Sequence, residues 1–422
     1  MMLRARNSAR WGLASCAVFT VTSLLSACTA APANAPSYDI VPVDAAWGEG
    51  GAPMGAPWSE SPAPTVQGAA VARGFFLRRY ATVVSPRSMS LAPNGDVFVT
   101  SPARMAPGGE GGGPGAILVL SDDDRDGVAE IHTFAEGVAD VHAVAVRNGY
   151  VYFTSDAALF RTPYAMGMRR EANGMRERVF AYPPNVDARW THGVDVRADG
   201  TVITSRGVWG TSRECGPRPE AGEIYRVDSM TSSRVVQGLR NPLYIRCHRS
   251  NPLCIAAELG DDRGPTWGAL EKLIAIEENT QDVGFPCCIT QSRATPYNGG
   301  NVFDCSSVTA GVATFTLQLT PFGLDWEPGV WPGPFNNGIF VALHGSFYSN
   351  PRWEGASVVF ATTDAAGKPT GAFMPFLLGF GPGGSPLERP ADVLFSNDGR
   401  LFVADDRAGA VYWIAPDDLR RR

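Results

Sequence analysis

Histidine is scarce in this 422-residue chain, five in all, and two of the five stand in the same kind of place. In THGVDVRADGTVITSR (191–206) His192 opens an alternating apolar run, and in HAVAVRNGYVYFTSD (142–156) His142 does the same. A strand entrance built for packing alone would carry valine or isoleucine, whereas imidazole titrates near neutrality and suits proton transfer. Arginine takes the equivalent place in RSMSLAPNGDVFVTS (Arg87), in GLRNP (Arg240, followed by Asn241) and in RPADVLFSNDGRLFVADD (Arg389). His344 closes the run FVALH. Fixed guanidinium groups beside imidazoles form an electropositive setting suited to a small polyanion.

Other residues with chemical capacity divide into metal candidates and discarded motifs. SDDDRDGVAE places Asp122, Asp124 and Asp126 at alternate positions before Gly127, the first half of a calcium loop, with Thr133 where a bidentate glutamate would complete it. The competing reading is a turn whose aspartates cap their own backbone. GGEGGGPG (108–115) has no following Lys-Ser or Lys-Thr and reads as a loop, not a phosphate cradle. Ser346 follows His344 too closely for a nucleophile–base pair, and His132 and His248 fall in turns or strand edges.

These residues need elements to bring them together, and an internal repeat supplies them. Six copies of one design start near Arg87, His142, His192, Asn241, Phe322 and Arg389: an alternating strand, a turn built on Asn-Gly, Asp-Gly or an equivalent, and a second strand rich in Val, Phe, Ile and Tyr. Two antiparallel strands cannot bury both faces alone, so six units stacked about an axis predict an all-β, six-bladed β-propeller over 74–422. The longer interval between the fourth and fifth copies reads as an insertion. A propeller's innermost strands surround the axis, so the strand starts Arg87, His142, His192, Arg240, Asn241 and Arg389, with His344, are expected at one axial rim.

In that order the motifs THGVDVRADG (191–200), GLRNP (238–242), VALHGS (341–346) and RPADVLFSNDGRLFVADD (389–406) resemble the soluble glucose and sorbosone dehydrogenase family, propellers that use pyrroloquinoline quinone, PQQ. The resemblance runs over about 75–414. It implies a PQQ-dependent oxidoreductase acting on a sugar or polyol, with Arg240 and Arg389 on the cofactor; Arg87, His142 and His344, by their place in the repeat, are expected to line the same site. It also implies that His192 is the general base and that Asn241 bonds the quinone oxygen. A calcium ion on the main-chain oxygens of Gly260 and Asp261 is implied as well. Departures are Ala391, where glucose-oxidising members carry a second arginine, leaving Arg87, Arg206 or Arg407 to replace it, and HGSFY in place of HGSW. Two other functions fit a polar-rimmed propeller: a non-catalytic binding module at the cell envelope, and a calcium-dependent lactonase-type hydrolase.

The remaining features bear on place. Residues 1–27 carry Arg4, Arg6 and Arg10, a short apolar stretch and Leu25-Ser26-Ala27-Cys28, which reads as a lipoprotein signal with acylation of Cys28. Residues 28–73 are Pro, Ala and Gly rich and are expected to be a disordered tether. The expected location is the outer membrane, facing the periplasm or the exterior, with no membrane contact beyond the lipid. A net charge of −6 argues against a nucleic-acid partner. Six cysteines after Cys28 suit disulfides in an exported chain. Cys247 and Cys254 flank a hairpin turn and are expected to pair, with Cys287 and Cys288 bonded to Cys215 and Cys305. The adjacent CC lacks the two-residue gap of a zinc knuckle.

Overall fold

Each of the six repeats folds as the inner two strands of a blade. The inner strands are Met89–Leu91, Val144–Arg147, Val194–Val196, Asn241–Cys247, Pro321–Trp326 and Pro390–Phe395, and each is the first strand of an antiparallel sheet. Each packs against the inner strands on both sides, and the sixth returns to the first, so the ring closes as a six-bladed β-propeller. The computed structural model describes residues 40–42, 66 and 69–417, except for 104–112, 173–174, 185–186, 211–214, 216–221, 229–230, 262–267, 300–302, 346–355 and 380–386. The signal segment and Cys28 lie outside the described residues, as does most of GGEGGGPG.

Ring closure uses both ends of the chain. Phe75–Thr82 forms the outer strand of the sixth blade, pairing antiparallel with Ala410–Pro416 from Phe75 opposite Pro416 to Thr82 opposite Ala410. The fifth blade is extended by Ala70–Ala72 and then by Ile40–Pro42, and Val66, Ala69, Val71 and Ala72 are buried. Part of the stretch expected to be tether is therefore built into the propeller, because the edge of the fifth blade offers unpaired backbone groups that a short apolar strand can satisfy. The turns carry the signal that made the repeat visible. In ADGT, Gly200 sits at φ +92°, a left-handed conformation that side-chain-bearing residues resist.

Six apolar clusters fill the six seams between neighbouring blades. The seam between the fifth and sixth blades is aromatic, with Phe340, Phe360, Phe376 and Phe395 fully buried around Trp331. Each such ring contributes about 2–3 kcal/mol by burial.

Side chains on the inner strands stitch the blades at the axis. Asp195 accepts the Cys247 N–H at 2.7 Å, Asp325 the Phe395 N–H at 2.8 Å and Asp392 the Met89 N–H at 2.7 Å, each bond crossing to the next blade. Arg246 from the fourth blade donates to the Leu324 carbonyl at 3.0 Å, the Met89 carbonyl at 3.1 Å and both oxygens of Asp392 at 3.1 and 3.2 Å. One guanidinium thus ties together four of the six inner strands.

The insertion after the fourth repeat sits beside the third blade, where Gln281–Asp282 adds a parallel strand to Ser232–Leu239. It is stapled by Cys215–Cys287 and Cys288–Cys305, while Cys247–Cys254 closes the fourth blade's inner hairpin. Cys247–Cys254 is the pairing expected from the sequence, and the structure fixes which of Cys287 and Cys288 bonds to Cys215 and which to Cys305. No helix among the described residues is long and apolar enough to cross a membrane.

Candidate functional site

Antiparallel pairing puts the start of each inner strand beside the end of its second strand. Arg87, His142, His192, Arg240, Asn241 and Arg389 therefore gather at one end of the ring with Arg206, Glu258, His344 and Asp406, which lie at or beside the ends of second strands. The sequence placed these residues at one axial rim, and every one of the strand-start residues is under 5% exposed, with His142, His192 and Asn241 having no exposed surface. The cations are held in a closed, polar interior, where electrostatic interactions are stronger than in water.

Asp406 is the hub of one group. It accepts from His344 Nε2 at 3.0 and 3.1 Å and is paired with Arg87 Nη1. Phe322 packs on both partners, with the His344 ring stacked 4.0 Å away and the Arg87 guanidinium 4.5 Å from its centre. Arg389 donates from Nε to the His344 carbonyl at 3.1 Å and from Nη2 to the Gly345 carbonyl. The Tyr244 hydroxyl donates to the Arg87 carbonyl, and its ring lies 5.4 Å from His142.

The two rim histidines differ in what faces their nitrogens. His142 Nδ1 lies 2.9 Å from the His192 carbonyl, an acceptor, so that nitrogen carries the proton in the neutral ring. Its Nε2 then holds the lone pair, and Arg87 Nε donates to it at 3.5 Å, a long and weak bond. Burial, then the Arg87 charge, hold the His142 pKa well below its ordinary value, so the ring is neutral at physiological pH. His192 has a main-chain carbonyl against each nitrogen, Ser205 at 3.2 Å from Nδ1 and Asp156 at 3.1 Å from Nε2. Its ring stacks on Tyr182 at 4.2 Å, and burial lowers its pKa to about 4. Both His192 nitrogens, expected from the sequence to serve a base, face main-chain carbonyls in this arrangement, whereas His142 Nε2 faces the Arg87 side chain.

Arg240 and Asn241 form a second group. Glu258 Oε1 accepts the Arg240 N–H at 2.6 Å, and burial raises the Glu258 pKa to about 7. Asn241 Oδ1 accepts from Thr191 at 3.0 Å, while its Nδ2 is buried without a partner. Gly207 makes this approach possible, since a Cβ there would lie 2.2 Å from Asn241 Oδ1. Two other side-chain nitrogens among the site residues described are buried without a partner, Arg206 Nε and His344 Nδ1. A buried donor and a buried acceptor without partners cost free energy unless a ligand or solvent satisfies them, and with Arg87 and Arg389 beside Asp406 and Arg240 at the same end of the ring they fit a polycarboxylate such as PQQ. Of the arginines offered as a replacement at Ala391, Arg87 joins the site, Arg206 pairs with Glu223 at 3.0 Å, and Arg407 is exposed beside Glu388.

The metal expectations meet two different outcomes. Calcium at Gly260 and Asp261 would share the Gly260 carbonyl with Arg240 Nη1, which donates to it. Asp122, Asp124 and Asp126 do converge, with ligand atoms within 4.8 Å of one another. Their oxygens also cap the N–H groups of Gly127, Asp126 and Val128, and Asp122 pairs with Arg400 at 2.7 Å. This loop is separate from the residues gathered around Asp406.

Asp406 and Tyr244 were not singled out from the sequence, and Phe322 was read only as the start of a repeat. The signal was available: every second strand of the repeat ends at the same face as the strand starts, so VADD deserved the reading given to FVALH.

No family model matches the sequence, and no curated protein does. Solved structures do match. An iodide structure of a Trichoderma reesei carbohydrate-active enzyme of family AA12 aligns with a TM-score of 0.66 at 17% identity, covering 84% of this chain and 98% of the other. The holo PQQ domain of a pyranose dehydrogenase from Coprinopsis cinerea gives 0.65 at 18%, covering 85% and 99%. The apo soluble aldose sugar dehydrogenase of Escherichia coli gives 0.57 at 12%, covering 81% and 99%. At these identities the likeness shows a common fold.

Proposed function

We propose that this chain is a PQQ-dependent oxidoreductase that takes hydrogen from the hydroxyl-bearing carbon of a sugar or polyol. The observation that carries the reading is the buried cluster in which Arg87, Arg389, His142 and His344 surround Asp406, with Arg240 and Asn241 at the same end of the ring. The names of the structural neighbours support it, since these include a PQQ domain and an aldose sugar dehydrogenase.

When bound, PQQ supplies a quinone that accepts hydride. The chain's own residues account for the rest. Arg87, Arg240 and Arg389 provide fixed positive charge for carboxylates, and Asn241 Nδ2 provides a buried donor for an oxygen that gains negative charge. His142 Nε2 takes the substrate hydroxyl proton once Arg87, which donates to it at 3.5 Å, is drawn toward a ligand carboxylate, while the His192 carbonyl keeps the Nδ1 proton in place. Such general-base assistance is worth about 10²–10⁴-fold in rate.

Activity is tested by reconstituting the purified protein with PQQ and following dye reduction over a panel of aldoses and polyols. Turnover with at least one sugar supports the reading; saturating PQQ without turnover of any sugar, or without any bound quinone, refutes it. We also propose export and acylation at Cys28, a placement supported by three disulfides. Cys28→Ser should move the protein from the membrane to the soluble fraction.

A further inference from the structure

Two aspartates follow one another at the end of the sixth blade's second strand, and the backbone turns them to different work. Asp405 accepts only main-chain N–H groups, from Glu388 at 2.7 Å, Arg389 at 2.9 Å and Ala408 at 2.8 Å. Asp406 accepts from side chains of the site, His344 and Arg87. Neighbouring residues of a strand face opposite sides, which separates the two carboxylates.

We infer that Asp406 is the positioning residue of this site: its carboxylate fixes His344 as the Nε2–H tautomer, leaving the Nδ1 lone pair open, and holds the Arg87 guanidinium against His142 Nε2, which keeps the lone pair of that ring on Nε2. The inference rests on the proposed function for its kinetic consequence but not for its structural one. A neutral imidazole has a single N–H, and opposite a carboxylate it must lie on Nε2. His344 Nδ1 is then an acceptor, buried and unpartnered, the complement of a ligand hydroxyl or N–H. On the other side, Arg87 has only donors, so its approach to His142 Nε2 requires the lone pair to be there. The Nδ1 contact with the His192 carbonyl demands the same tautomer independently. One carboxylate therefore orients one imidazole directly and the other through a guanidinium. The remaining support is apolar: Phe322 packs on both His344 and Arg87 and prevents either from swinging.

Asparagine in place of Asp406 can turn its amide nitrogen toward His344 Nε2, which moves the ring proton to Nδ1 and converts the acceptor into a donor. The test is the ring nitrogen spectrum of the full chain labelled with ¹⁵N-histidine, free of cofactor, with His344→Gln used to assign its signals. The wild type should show His344 protonated at Nε2 and His142 at Nδ1. Asp406→Asn should shift His344 toward Nδ1–H, and after PQQ reconstitution lower kcat by about 10²-fold or more with KM changed only a few-fold. Asp405→Asn should lower the melting temperature and leave both ring signatures as in wild type.

A wild-type spectrum with His344 protonated at Nδ1 overturns the inference, and that reading needs no variant to fold. Ring signals unmoved by Asp406→Asn, or moved equally by Asp405→Asn, overturn it too. If the tautomers are as stated but PQQ does not bind, the proposed function fails and the assignment of Asp406 stands.

Discussion

Replacing His192 by glutamine separates packing from catalysis at the residue that the sequence marks most strongly. Glutamine keeps a polar tip of similar reach and cannot be protonated. In the folded protein burial lowers the His192 pKa from 6.5 to about 4, whereas the unfolded chain titrates at the ordinary value. A group whose folded pKa is depressed by burial of its neutral form stabilises fully above the unfolded pKa, and that stability is lost as pH falls through 6.5 toward about 4. The interval corresponds to about 3 kcal/mol, at about 1.4 kcal/mol for each pH unit. Near pH 7.5 the variant should be the less stable protein by about 1–2 kcal/mol, having lost the stack on Tyr182. That gap should shrink as pH falls below 6.5 and change sign before pH 4.5, where the wild type has lost about 2.6 kcal/mol. The raised carboxyls of Glu258, Asp392 and Asp405 titrate in both proteins and drop out of the difference. Urea unfolding at a series of pH values measures the gap, and dye reduction after PQQ reconstitution measures turnover, which should stay within a few-fold of wild type. A gap independent of pH would refute the buried, neutral state of His192. A loss of turnover of 100-fold or more in a fully folded variant would make it the base.

Three further outcomes follow from the same geometry. His142→Gln should reduce turnover by about 10²–10⁴-fold while PQQ absorbance still titrates to saturation, because the lone pair and not the binding charge is removed. Arg246→Met should cost about 3–5 kcal/mol in urea unfolding, since it leaves the buried carboxylate of Asp392 without its cation at the centre of four strands. Among the disulfides, losing Cys215–Cys287, which spans 72 residues, should cost about 4 kcal/mol, and losing Cys247–Cys254, which spans 7, about 2 kcal/mol, on loop-closure entropy. Paired Cys→Ala variants compared by melting and urea unfolding check the order.

The propeller was legible because its information is local. Asn-Gly and Asp-Gly turns between alternating runs announce hairpins, and six copies announce a ring. Closure by Phe75–Thr82 was not legible, since that strand pairs with residues more than three hundred positions away and carries no mark of its partner. The site was legible as a set of residue types but not as roles. His142 and His192 occupy equivalent positions of successive repeats, and the difference between them lies in the groups facing their nitrogens, set by how one blade is offset against the next. Asp406 escaped notice because it stands beside Asp405 in a run that reads as a polar turn. Arg246 escaped because CHRSNPLC draws attention to the cysteines rather than to the arginine one residue before them.

The central claim is that the buried arginines and imidazoles around Asp406 form a site for a quinone polycarboxylate. Equilibrium titration of PQQ into the full chain, followed by the cofactor's absorbance, tests it most directly when wild type is compared with Arg389→Met and Arg87→Met. The account predicts saturable binding at one PQQ per chain, weakened about 10-fold or more in each variant by loss of a buried charge-assisted bond. Binding that is absent in wild type, or equally strong in both variants, would contradict it.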